Sequence, residues 1–444
     1  MSDTKPSLRQ RIFAAGGWTL GGYAFSQMAR LASNIILARL LFPEAFGLMT
    51  IVQAVLFGVI MLTDVGLSLS IIRSPNGEKP EFLNTVWTLQ IAKGVVVAAI
   101  LAVIAWPVSW GYDNPMLGPM IAAIGLVAIL GGARSTKADL AVRGLALKRL
   151  TIISVVSQLA SIVTMITIAV VWKTPWALLW GNVAASLVET LMTHFYLPGP
   201  SNRFAWHRET WDEVFHFGAW ILVSSAITYL SSEGLQLLRA ALVDLDFLGQ
   251  LGIAITLSLV VWTAIQKLCM QVFYPAYSEI WRNEPERFKG ILERSRLAQL
   301  IPAWSVSIFL VFFGQELIGL LYDERYAKAA LIMQINSVGL VVGLISASYT
   351  GVLIAIGKPG LNGTLIAIHA AINAAGIYLG AHYWGPWGMV VGSALSGLIY
   401  YPINAIVYGR HGLTNWRIDL PGFLIGSGLA YWMARYADWS QAGW

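Results

Sequence analysis

The sequence contains few charged residues and only one cysteine. Charged side chains make up 12% of its 444 residues, about half the share that is usual in a soluble domain. So few charges cannot cover a water-exposed surface, which excludes a soluble enzyme and a nucleic-acid-binding module. The single cysteine, Cys269, excludes a disulfide framework and a metal site built from cysteines. An apolar content of 57% excludes a disordered chain.

Long apolar runs indicate an all-α polytopic membrane protein. Each run has about 20 residues or more, enough for a helix to cross about 30 Å of hydrocarbon. We predict twelve spans, with a weaker thirteenth over 419–434. The twelve spans are 12–40, 45–72, 83–110, 116–133, 151–172, 176–197, 216–240, 247–273, 298–321, 329–356, 361–381 and 385–409.

The positive charges predict the orientation. With the N-terminus in the cytoplasm, 20 of the 29 Lys and Arg residues fall in cytoplasmic segments, six lie on the opposite side and three lie inside spans. This asymmetry follows the positive-inside rule and explains the basic pI without a nucleic-acid partner. The scheme assigns Arg296 to a cytoplasmic segment, 283–299, which we expect to form a cytosolic or interfacial helix. It assigns Arg239 to the outer side.

An internal repeat predicts the domain organisation. A shift of 202 residues aligns Trp18 with Trp220 and Gly47 with Gly249, without a gap across about 40 residues. The repeat predicts two six-helix halves in parallel relation, an arrangement that transporters use to form a site between halves. The predicted bounds are 1–200 and 201–410, followed by a C-terminal extension, 411–444.

Polar residues inside the apolar spans are the candidate functional residues, because such groups are costly in a bilayer. Gln27, Arg30 and Asn34 are spaced by three and four residues, so they share one helix face. A guanidinium flanked by amides is suited to bind phosphate oxygens in bidentate fashion. The alternative is a structural ion pair between Arg30 and Asp64.

Two lysines are further candidates for binding an anionic substrate. Lys267 lies beside Gln271 in the second half, where a central anion site shared with Arg30 would need a cation. Lys93 lies in the third span, and its alternative is to extend toward the interface.

Two carboxylates are candidates for ion coupling. Asp64 and Glu233 lie within spans, where a buried carboxylate can exchange a proton or bind sodium. The alternative is that they are structural partners of Arg30 or Arg239. We expect no metal site and no cofactor.

Catalytic motifs are absent from the sequence. The nearest candidate is Asp244-Leu245-Asp246, which we interpret as a polar turn. A membrane glycosyltransferase or polymerase would need an outer loop larger than those predicted here.

Three segments carry a family resemblance that covers nearly the whole chain. They are Asn34–Gly47 (NIILARLLFPEAFG), Asp64–Leu67 (DVGL) and Tyr274–Ser278 (YPAYS). They resemble the Wzx-like and exopolysaccharide flippases of bacteria, which belong to the MOP (MATE-like) superfamily.

This resemblance implies a V-shaped pair of six-helix lobes around a cationic cavity, in the inner membrane. It also implies alternating-access transfer of a polyprenyl-diphosphate-linked oligosaccharide from the cytoplasmic to the periplasmic leaflet. Arg30 and Lys267 would then hold the diphosphate. Membrane lipids, glycosyltransferases and a polymerase of the same pathway are the expected partners.

Three alternatives remain open at this stage. A MATE-type exporter of cationic small molecules predicts an acidic cavity dominated by Asp64 and Glu233. A membrane glycosyltransferase or polymerase predicts a catalytic role for Asp244 and Asp246. A non-transporting scaffold of a polysaccharide assembly complex predicts that cavity charges are dispensable.

Overall fold

The structure is a computed structural model that describes residues 8–144, 146–214, 222, 225, 229–230, 232–436 and 439. Over these residues it consists of helices and turns without a strand. The helices in the first half are α1 (Leu8–Leu40), α2 (Pro43–Leu62), α3 (Leu67–Arg73), α4 (Pro80–Gly111), α5 (Leu117–Gly132), α6 (Lys137–Arg143), α7 (Leu147–Trp172), α8 (Trp176–Phe195) and α9 (208–214). Those in the second half are α10 (Glu233–Ala240), α11 (Leu245–Leu268), α12 (Tyr274–Asn283), α13 (Pro285–Leu321), α14 (Ala327–Ala347), α15 (Val352–Ala355), α16 (Pro359–Arg410) and α17 (Trp416–Tyr436).

Several of these helices are long and apolar enough to cross a membrane. Within the described ranges, six helical stretches meet this condition by length and composition: α2, α4, α7, α13, 324–355 and α16. The pair α5 and α6, bent by 60° at a short break, meets it together. The fold is therefore an all-α polytopic membrane fold. Nearly half of the predicted span 216–240 lies outside the described residues, as does half of the repeat alignment.

Two predicted spans are interrupted by glycines in the left-handed conformation. The predicted span 45–72 breaks at 63–66, where Gly66 has a φ of 65°. The predicted span 329–356 breaks after α14, where Gly351 has a φ of 84°. Neither span is a single unbroken helix, because a positive φ is compatible with a turn but not with a continuing right-handed helix.

Helix α16 folds back on itself at Trp384 and Gly385, both of which have non-helical dihedral angles. Its two arms lie so close that a Cβ on Gly376 would be 2.5 Å from the carbonyl oxygen of Gly392. The arms correspond to the predicted spans 361–381 and 385–409. Glycine is required here since any side chain would separate the arms.

We expected the segment 283–299 to form a cytosolic or interfacial helix before span 298–321. The segment is helical from Pro285 onward, and α13 continues without a break to residue 321. Arg296 is fully buried among protein side chains, where it pairs with Asp419 on α17.

The chain forms two compact units, 1–234 and 235–444. In the first, Ile71, Phe82 and Val86 belong to a core between α3 and α4. In the second, Trp304, Ile345 and Leu429 belong to a core that joins α13, α14 and α17. The weak span predicted at 419–434 is thus a helix that packs within the second unit. The predicted bounds at 200 and 410 stay a prediction.

Candidate binding cavity and intramembrane charges

The second unit contains a cavity of about 610 Å³ between α10, α11, α14 and α16. Among the described residues, five amide side chains line it, those of Gln266, Asn336, Asn362, Asn373 and Asn404. Among the described residues that line the cavity, Arg239 carries a full positive charge and no residue has a carboxylate. The cavity therefore offers hydrogen bonds and one cation within an otherwise apolar bundle.

Small residues shape this cavity. Gly339 on α14 faces Ala394 on α16, and a Cβ added to Gly339 would lie 2.6 Å from the Ala394 carbonyl oxygen. This close contact fixes the two helices together along one side. The larger rings of Trp262 and Tyr400 line the wall elsewhere.

Arg239 is held by neutral groups. Its Nη1 donates to Gln236 Oε1 at 3.0 Å, and its Nη2 donates to Ser393 Oγ at 3.2 Å. Ser393 Oγ in turn donates to Asn373 Oδ1 at 3.0 Å. The predicted alternative of an ion pair with Glu233 is not formed. The guanidinium therefore keeps its charge uncompensated by the described part of the protein.

Sequence reasoning missed Arg239 as a cavity residue. It lies one residue from the end of the predicted span 216–240, where a basic residue is typically interfacial. The one available signal was Gln236, three residues earlier on the same helix face.

Three buried polar atoms lining the cavity have no hydrogen-bond partner within the described protein. They are Asn336 Nδ2, Ser346 Oγ and Asn404 Oδ1. Asn404 is only 4% exposed. Buried polar groups are nearly always paired, so these atoms indicate that the cavity is built for a polar occupant.

The first unit contains an ion pair between Lys93 Nζ on α4 and Asp64 Oδ1 at 2.9 Å. Asp64 lies in the break between α2 and α3, where it also accepts from the backbone N–H of Gly66. The alternative pairing of Asp64 with Arg30 is therefore not observed. Lys93 binds this carboxylate instead of extending toward the interface.

The predicted phosphate-binding face lies on the surface of the first unit. Helix α1 is unbroken across Gln27, Arg30 and Asn34, so the three side chains share a face as their spacing predicts. Arg30 is exposed, and its two neighbours are half-buried.

The remaining candidates lie in the second unit but not on the cavity wall. Lys267 is half-buried near the end of α11, and Glu233 is the first residue of α10. Neither lines the cavity, although Gln266 does. Gln271 belongs to a π-helical turn, Cys269–Phe273, and its side chain lies outside the description.

The two aspartates of the Asp-Leu-Asp sequence have structural partners. Asp244 caps α11, since its Oδ1 accepts from the backbone N–H of Phe247 at 2.7 Å. Asp246 pairs with Lys328 at 2.9 Å. Both contacts support the interpretation as a polar turn.

An all-α polytopic fold with a polar cavity inside an apolar unit is typical of membrane transporters. Two solved transporters share the fold. An inward-facing multidrug resistance MATE transporter of the MOP superfamily matches with a TM-score of 0.65 and 14% identity, over 91% of this chain and 96% of that one. The lipid II flippase MurJ matches with a TM-score of 0.67 and 12% identity, over 95% and 93%.

Sequence comparison defines the family. The family described as "Polysaccharide biosynthesis protein" matches residues 36–331, so the chain belongs to it. The lipopolysaccharide biosynthesis protein WzxC of Escherichia coli (strain K12) is 22% identical over 76% of this chain and 68% of its own length. An uncharacterised membrane protein in the cps region of Klebsiella pneumoniae is 21% identical over 84% and 76%.

Family and fold together confirm the resemblance read from the sequence. They place the chain in a polysaccharide biosynthesis family of multi-pass bacterial inner-membrane proteins, with the fold of the two solved transporters.

Proposed function

We propose that the protein is a flippase for a polyprenyl-diphosphate-linked oligosaccharide. The observation that supports this most is a polar cavity in a member of a polysaccharide biosynthesis family, with no carboxylate among the described residues that line it. A solved protein of the same fold is itself described as a lipid II flippase.

The chemistry of the cargo explains why a polar cavity is needed. A sugar head group carries many hydroxyls, and unpaired hydroxyls in hydrocarbon cost several kcal/mol each. Amides such as those of Asn336, Asn373 and Asn404 replace the hydrogen bonds of water. The polyprenyl tail needs no such replacement and stays in lipid.

The diphosphate of the cargo is anionic, so its binding site needs cationic side chains in addition to the amides that bind the sugar. We assign this role to Arg30 with Gln27 and Asn34 on α1, and to Lys267 with Gln271 at the end of α11. Lys93 is a further cation for this role when it is released from Asp64. Alternating access carries the bound head group from the cytoplasmic to the periplasmic side, between the glycosyltransferases that build it and the polymerase that uses it.

The ion pair of Asp64 and Lys93 supports a coupling step. Binding of a proton or sodium ion by Asp64 would compete with Lys93 for the carboxylate. Because Asp64 lies in the break between α2 and α3, a change in this pair would act on two helices at once. Glu233 on α10 is the second coupling candidate.

Cation export fits the cavity less well. A pocket for cationic drugs requires negative charge, whereas the charged group among the described lining residues is Arg239. An exporter would also lose activity with Asp64→Asn while tolerating loss of Arg30.

A test in cells uses the accessibility of the glycan. In spheroplasts of a deletion strain, the lipid-linked oligosaccharide should remain inaccessible to an added lectin, and the restored gene should expose it. Arg30→Gln should fail to restore exposure, while Lys173→Asn should restore it fully. Lys173 is an exposed turn residue with a φ of 48° that asparagine adopts readily. Equal lectin binding with and without the gene would refute the proposal.

A further inference from the structure

The cavity of the second unit has a defined length and polarity. Ser393 and Tyr408 both line it from the same arm of α16, and 15 residues of helix separate them by about 22 Å. Arg239 binds Ser393, so the cation lies at one end. The cavity, with a volume of about 610 Å³, is therefore long enough for more than one sugar ring.

The wall of the cavity is suited to sugar rings. Asn336 Nδ2 lacks an acceptor and Asn404 Oδ1 lacks a donor within the described protein, and a hydroxyl supplies either. Trp262 and Tyr400 provide flat apolar surfaces for the C–H faces of a ring. Amides combined with a few aromatic side chains are typical of sites that orient a polar ligand.

Arg239 can bind a ligand oxyanion in addition to its two protein partners. A guanidinium has five N–H donors, and the hydrogen bonds of Arg239 use two of them, both with neutral oxygens. No carboxylate of the described residues lies within the 4.0 Å ion-pair distance. A buried charge is stabilised only when a partner of opposite charge accompanies it, and coplanar oxygens fit a guanidinium best.

The charge of the site distinguishes between two sources of that oxyanion. A diphosphate carries at least two negative charges, so one arginine would leave the excess buried without compensation. A sugar carboxylate carries one negative charge and matches one guanidinium. The neutral amides along the rest of the cavity match the hydroxyls of the adjoining rings.

We infer that this cavity binds an acidic sugar of the transported glycan, with the sugar carboxylate on Arg239. The inference rests on the proposed function and adds a substrate class to it: oligosaccharides that contain a uronic acid. It separates recognition of the sugar in the second unit from recognition of the diphosphate by Arg30 and Lys267.

Binding to the purified full-length protein tests this inference. The probes are cellobiouronate, which has one carboxylate, its neutral counterpart cellobiose, and inorganic pyrophosphate, each measured by titration calorimetry. We expect cellobiouronate to bind at least about tenfold more tightly than cellobiose. Arg239→Gln should abolish this preference, and Arg149→Gln in the first unit should leave it intact.

A second variant covers the case in which Arg239→Gln does not fold. Asn336→Asp puts a carboxylate into the same cavity and should abolish the preference by competing for the cation. The inference is overturned if the wild type shows no preference, or if the preference survives both variants. It is also overturned if pyrophosphate is the probe whose affinity depends on Arg239, since the site would then belong to a phosphate.

Failure of this inference differs visibly from failure of the proposed function. If lectin binding depends on the gene but the protein shows no preference for cellobiouronate, the inferred sugar site is refuted and the proposed flippase function stands. If the preference for cellobiouronate depends on Arg239 but lectin binding does not depend on the gene, the sugar site stands and the proposed flippase function is refuted.

Discussion

Arg296 and Asp419 form a buried ion pair, with 2.6 Å between Arg296 Nη2 and Asp419 Oδ1 and side chains that are 1% and 0% exposed. The rest of the guanidinium donates to Ser348 Oγ and Tyr349 Oη. The second carboxylate oxygen accepts from Tyr401 Oη at 2.7 Å. This cluster joins α13, α16 and α17, so it fastens the C-terminal helix to the second unit.

Removing one member of this pair should destabilise the second unit strongly. Asp419→Leu leaves the Arg296 charge buried without a partner, which costs about 3–5 kcal/mol. Cys269 is the only cysteine of the chain and is fully buried. A thiol-reactive dye added during heating therefore reports unfolding. The midpoint temperature of unfolding of Asp419→Leu should fall clearly below that of the wild type.

The double variant provides the control. Arg296→Met with Asp419→Leu replaces both charges by apolar groups, which is often close to neutral for a buried pair. It should recover most of the midpoint, and Arg417→Gln on the exposed side of α17 should not shift it. A double variant as unstable as the single one would show that the pair is not what holds α17.

The close approach within α16 predicts a second stability effect. A Cβ on Gly392 would lie 2.0 Å from the Gly376 carbonyl oxygen, so Gly392→Ala forces the two arms apart and should cost about 1–3 kcal/mol. Gly363 lies on the same helix with open space around it. Gly363→Ala should therefore be neutral or stabilising by up to about 1 kcal/mol. Equal midpoints for the two variants, measured with the same dye, would contradict this packing.

Coupling through Asp64 predicts a loss of response to an ion gradient. In reconstituted vesicles, Asp64→Asn should move its cargo at a rate that neither a proton nor a sodium gradient changes. Glu78→Gln is the control, because Glu78 is a surface carboxylate that pairs with Arg143. It should keep the gradient response of the wild type. An Asp64→Asn variant that still responds would remove Asp64 from the coupling step.

The two phosphate candidates predict a loss of affinity rather than of fold. Arg30→Gln and Lys267→Gln should each weaken binding of a short-chain polyprenyl diphosphate by about tenfold, which corresponds to about 1.4 kcal/mol. Their thermal midpoints should match that of the wild type, since Arg30 is exposed and Lys267 is half-buried. Unchanged affinity in both variants would place the diphosphate elsewhere.

The sequence was sufficient to predict the class of fold, because long apolar runs and the bias of positive charge are properties of the chain itself. It was insufficient where a single residue decides the geometry. Gly66 and Gly351 break helices that hydrophobicity alone reads as continuous. The turn at Asp244 was predictable, since its partner is only three residues away.

The polar sites depended more on distant partners. The burial of Arg296 was not predictable, because its partner Asp419 lies 123 residues later in the chain. From the sequence, Arg239 was assigned to the end of a span, and its place on the cavity wall depends on α14 and α16, which are distant in the chain. Three amides that lie inside predicted spans, Asn336, Asn373 and Asn404, meet at one cavity. Their shared location was not predictable because they come from different helices.

Transfer of the lipid-linked oligosaccharide across a defined bilayer tests the central claim most directly. Vesicles with the purified protein receive a fluorescent undecaprenyl-diphosphate oligosaccharide in both leaflets, and a membrane-impermeant quencher then reaches the outer leaflet. We predict that quenching proceeds beyond the outer-leaflet fraction with the wild type but stops at that fraction with the Arg30→Gln, Lys267→Gln double variant. Quenching that stops there with the wild type as well would contradict the account.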